Sequence, residues 1–76
     1  MAVEIVRLDP AVEISSTPRG ETKYRTRAHL SESTRDEALV KRLVIAKLGE
    51  YKHMLSCEIQ FPYDCVLVIY SVDSGD

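Results

Sequence analysis

The sequence predicts an α+β fold: a four-stranded, mainly antiparallel sheet in strand-strand-helix-strand-strand order, with one helix packed on one face and the other face open. Three observations carry this. A proline-glycine turn joins two alternating stretches near the N-terminus, an amphipathic stripe with end signals follows, and a last alternating stretch turns into a run that is apolar on both faces. At 76 residues the chain is expected to form one domain, 1–76, with residues 73–76 fraying.

The first hairpin turns at Thr17-Pro18-Arg19-Gly20. Pro18 presets φ for a type I turn, and Gly20 supplies the left-handed residue of a bulged three-residue loop. That loop sets Thr17 opposite Glu21. Carried on, the register puts Ile14 opposite Tyr24, Val12 opposite Thr26, Pro10 opposite Ala28 and Leu8 opposite Leu30, all facing the core. The other face receives Lys23, Arg25, Arg27 and His29, with Ser15 across from Lys23, Glu13 from Arg25 and Asp9 from His29. Pro10 has no N–H for a ladder, so the first strand is expected to lie at an edge or break there. Val3 and Ile5 fall out of phase with Leu8, which predicts a bulge or kink near Asp9-Pro10.

The helix is expected from about Ser33 to Leu48. Ser33 or Thr34 serves as cap, Asp36 or Glu37 as the returning half of a capping box, and Gly49 as a left-handed stop. Leu39, Val40, Leu43, Val44 and Ala46 form the core stripe. Ala38, Ile45 and Leu48 lie off it and offer a second, smaller seam.

In the second hairpin, Tyr51 to Phe61 alternates, with Leu55, Cys57, Ile59 and Phe61 on one side and Met54, Ser56, Glu58 and Gln60 on the other. A three-residue turn, Pro62-Tyr63-Asp64, pairs Cys65 with Phe61. The run from Cys65 to Val72 reads as a central strand. In this register Val66, Val68, Tyr70 and Val72 stand on the open face beside the basic row.

Catalytic chemistry is hard to build from these residues. No phosphate-cradling glycine loop and no nucleophile elbow occur. His29 and His53 lack a third group in sequence to orient them. Cys57 and Cys65 would stand on the order of 13 Å apart along the hairpin, beyond disulfide or shared-metal reach. The acids belong to a cap, a turn and cross-strand pairs. We therefore expect no enzyme, no cofactor and no metal. Nothing reads as a signal peptide or a spanning segment, and two cysteines suit a reducing compartment, so the expected setting is cytoplasmic, without membrane contact. A formal charge of −2 argues against wholesale coating of nucleic acid and leaves room for a local basic patch.

Function is therefore expected at the open face. In one reading Glu13 and Asp9 partly neutralise the basic row and a terminal segment hides the valines. In the other, a valine row too large for so short a chain to cover, rimmed by cations, marks a partner site or a homodimer contact. Two hairpins around one helix, with no catalytic motif, resemble in size and layout the small phage-encoded inhibitors of host defence, the anti-CRISPR proteins among them. That resemblance implies an inhibitor that binds a protein subunit of a bacterial nucleic-acid-guided complex and blocks its access to DNA. The alternative is a small nucleic-acid-binding module, with Arg and Lys on phosphates and Tyr70 stacking on a base.

Overall fold

The computed structural model describes residues 2–49 and 54–73. It holds strands β1 (Ile5–Leu8), β2 (Val12–Ser16), β3 (Glu21–Leu30), β4 (Met54–Gln60) and β5 (Val66–Asp73), with helix α1 (Glu37–Lys47) between β3 and β4. The sheet is antiparallel throughout, in the order β1-β3-β5-β4, with β2 also paired to β3. It has five strands where four were expected. The first expected strand breaks at Asp9-Pro10-Ala11, so β1 and β2 share one side of β3, end to end. Pro10, with no N–H to give, stands at the break.

The first turn forms as its residues require. Gly20 adopts a φ of 93°, and its N–H donates to Thr17 O at 3.0 Å while Thr17 N–H donates to Glu21 O at 2.8 Å. Ser16 then faces Thr22 and Ser15 faces Lys23, but the register shifts between Glu13 and Ser15. Beyond that bulge Glu13 lies opposite Tyr24 and Val12 opposite Arg25. Ile14 and Val12, expected in the core, are exposed.

Helix α1 begins later than the periodicity suggested. Asp36 is the cap, its carboxylate accepting from Leu39 N–H at 3.1 Å, while Thr34 Oγ1 accepts from Asp36 N–H at 3.2 Å. The helix lies over one face of the sheet and touches β4 along one side and β1 along the other. Val40 and Val44 are fully buried, and Leu39 and Leu43 are half-buried. Leu48 packs against the core, so the expected second seam loses it, and Ala38 and Ile45 alone remain exposed. Gly49 is not a left-handed stop. A Cβ there would sit 2.9 Å from Ala46 O, so close approach to the last helical carbonyls is what glycine permits.

The second hairpin differs from the expected one by one residue. Its turn is closed by Cys65 N–H donating to Pro62 O at 3.0 Å, and Tyr63 takes a left-handed φ of 58°. Gln60 therefore faces Leu67, Ile59 faces Val68 and Cys57 faces Tyr70. A slip of one residue sends every side chain of a strand to the opposite face. Val66, Val68, Tyr70 and Val72 consequently point toward the helix and are buried, with Val68 fully so. Their placement on the open face is corrected. Tyr70 stacks on Tyr24 with ring centroids 5.5 Å apart. A second bulge, between Met54 and Ser56, brings Met54 against the core and leaves Leu55 57% exposed.

Candidate docking face

Cross-strand partners share a face, so the registers define the uncovered side of the sheet row by row. Glu21 and Asp73 form the first row; Ser15, Lys23, Ser71 and Ser56 the second; Val12, Arg25, Ile69 and Glu58 the third; Arg27, Leu67 and Gln60 the fourth; and Arg7 with His29 close the end. Lys23, Arg25 and Arg27 are exposed, while Leu67 and Ile69 between the strands are half-buried. The expected basic row is thus present and on one side. Its apolar neighbours are Leu67, Ile69 and Val12.

The bulge at Ile14 decides the electrostatics. It turns Glu13 to the helix side of the sheet and leaves Val12, a neutral side chain, beside Arg25. At the far end Asp9 is engaged: its Oδ1 lies 2.9 Å from His29 Nε2 and 3.6 Å from Arg7 Nε. The Asp9 backbone carbonyl accepts from Thr26 Oγ1 at 2.6 Å, which fixes the strand where it breaks. Arg27 donates from Nη2 to Cys65 Sγ at 2.7 Å. Among the described residues no acidic side chain pairs with Lys23 or Arg25. Of the two neutralising contacts expected, the structure brings Asp9 to His29 and moves Glu13 away. Neighbouring cations on one strand face stand about 7 Å apart. Each such pair repels by about 0.6 kcal/mol in water; Glu21, one step beyond Lys23 on the same strand face, offsets this at that end alone, and an acidic partner would relieve the rest.

No family model matches the chain, and no curated protein or solved structure matches it either. The functional reading therefore rests on the site itself.

Where the basic row ends, a cleft of about 580 Å³ opens between the end of β3 with its following loop and the β4–β5 turn. Arg27, His29, Ser33, Tyr63 and Cys65 are among its lining residues. Arg35 laces its two sides together, donating to Tyr63 O at 2.8 Å and Phe61 O at 3.4 Å, with its guanidinium 6.0 Å from the Phe61 ring centre. Tyr63 is 91% exposed beside it. Sequence reasoning assigned neither Arg35 nor Tyr63 to a site: Arg35 was absorbed into the helix and Tyr63 into the turn. Leu67 and Ile69 were missed because the run containing them is apolar on both faces.

Burial raises the Cys57 thiol above its usual range, with the Lys41 ammonium pulling in the opposite direction. Cys57 and Cys65 are both free thiols. Among the described residues no three His, Cys, Asp or Glu side chains gather as a metal set, and no helix is long and apolar enough to cross a membrane. His53 lies outside the described residues.

Proposed function

We propose that the protein is a non-catalytic docking protein that lays the open face of its sheet on an acidic surface of a macromolecular partner and acts by occlusion. The observation that carries this is Lys23 and Arg25 standing exposed, with no acidic side chain paired to them and no helix or strand laid over their face among the described residues, beside half-buried Leu67 and Ile69. Apolar positions flanked by cations give contact area and select a partner of opposite charge. The anti-CRISPR-like reading takes a specific form here. A row of cations does not imitate DNA, so inhibition of a nucleic-acid-guided complex would come from covering an acidic protein surface.

Direct nucleic-acid binding is the weaker reading, because Tyr70, the aromatic expected to stack on a base, is 3% exposed under the helix. On the basic face itself phosphate contacts alone would remain, the exposed aromatic Tyr63 lying beyond it at the β4–β5 turn. Affinity capture on immobilised protein, with nuclease treatment, tests the choice. The wild-type chain should retain a protein partner after nuclease, and a Lys23→Glu/Arg25→Glu variant should lose it. Equal capture by both proteins rejects this face, and loss of everything on nuclease treatment rejects a protein partner.

A further inference from the structure

The two edges of the sheet are built differently. On one, β1 and β2 are 4 and 5 residues long, separated at Pro10 and bulged between Ile5 and Arg7 and between Glu13 and Ser15. Short strands, bulges and proline are what keep an edge from pairing with another chain. The other edge, β4, runs for 7 residues and, after one bulge between Met54 and Ser56, keeps an unbroken register with β5 from Ser56 to Gln60. That stretch contains no proline, lysine or arginine. Among the described residues no other strand and no loop backbone bonds to its outward side.

We propose that this edge is a homodimer interface, β4 pairing antiparallel with β4 of a second copy across a two-fold axis at Cys57. The axis stands normal to the sheet, so each residue and its copy share a face and the centre must fall on a residue. A centre on Glu58 would set two carboxylates directly opposite, which is destabilising. A centre on Ile59 would draw Pro62 into the ladder, where it has no N–H to offer. A centre on Cys57, the middle of Met54–Gln60, pairs Ser56 to Glu58 in regular register and meets the bulge at Leu55 beyond them. It sets Glu58 across from Ser56 and brings exposed Leu55 near Ile59 of the other copy. Glu58 is the one charged residue of β4, so its placement selects the register. The product is a continuous sheet with both helices on one side and both basic rows on the other. This inference rests on the fold and stands apart from the docking reading.

Sedimentation equilibrium from micromolar to millimolar protein tests it. The wild-type chain should reach twice its 8.6 kDa, and Leu55→Lys should weaken association at least tenfold with an unchanged circular dichroism spectrum. In a Cys65→Ser background a short bis-maleimide should join two chains through Cys57. An 8.6 kDa species at every concentration overturns the proposal, as does a dimer that Leu55→Lys leaves intact. Cross-linking through Cys65 in a Cys57→Ser protein, with none through Cys57, overturns the register. A monomer that still captures a protein partner would leave the docking reading standing, and a dimer that captures none would remove it.

Discussion

Replacing Tyr63 with glycine should stabilise the protein. Tyr63 has a φ of 58°, and its side chain is 91% exposed. A residue with a Cβ pays about 1–2 kcal/mol for a left-handed conformation. Glycine removes that cost but gains freedom in the unfolded chain, worth about 0.4–1 kcal/mol in the opposite direction. Almost no packing is lost with a ring so exposed, so the net gain should be about 0.5–1 kcal/mol. For a domain of this size each kcal/mol moves Tm by about 4–8 °C. Tyr63→Gly should therefore melt about 2–8 °C higher by circular dichroism. Tyr63→Ala is the control: it removes the ring yet keeps the Cβ, and should stay within about 0.5 kcal/mol of the wild type. The reasoning fails if Tyr63→Gly melts below the wild type, or if Tyr63→Ala rises as far as glycine does.

The face assignment of β5 is tested by neighbours in sequence: Val68→Ala, at a fully buried position, should cost about 2–4 kcal/mol, whereas Ile69→Ala on the half-buried open face should cost well under half as much, by chemical denaturation. Equal losses would mean that the open face is covered. Burial raises the Cys57 pKa, so the unfolded chain releases this proton first. The thiol's contribution to stability is then complete below its ordinary pKa and declines as pH climbs above about 9. Denaturation midpoints should show that alkaline decline in the wild type and less of it in Cys57→Ala. Iodoacetamide should label Cys57 more slowly in the folded protein than in urea.

The first turn and the strand break were legible because single residues dictate them: Gly20 is needed for its left-handed backbone, and Pro10 cannot take part in a ladder. The cap was not, because Ser33 or Thr34 was expected there and Asp36, read as the returning half of a capping box, takes the place by holding Leu39 N–H. Registers were harder. Their parity depends on counting residues through turns and bulges, and neither Ile14 nor Leu55 carries any mark of being the residue to bulge. Both are apolar β-formers that would sit equally well in a regular strand. The basic row survived this uncertainty because β3 itself is continuous from Glu21 to Leu30. What changed was its company: Val12 replaced Glu13 beside Arg25, and Leu67 and Ile69 replaced the valines.

The β5 sequence alone could not choose a face, because Val66, Val68 and Val72 on one side are matched in apolar character by Leu67 and Ile69 on the other. The decision passes to the turn. A three-residue turn would have buried Leu67 and Ile69 and set the valines beside Arg25, with Ser71 and its hydroxyl directed into the core. The observed turn accepts a left-handed Tyr63 and puts Ser71 on the side of the cations, where it is fully buried but its Oγ lies 2.7 Å from Ser56 Oγ. Burying a hydroxyl without a partner costs about 1–3 kcal/mol, comparable to the strain at Tyr63. Packing supplies a further bias, since Tyr70 on the helix side stacks against Tyr24. One residue of turn length, far from Lys23 and Arg25, thus determines which side chains accompany the cations. Deleting Asp64 would put the valine row and the basic row on one surface, at the expense of the core beneath the helix.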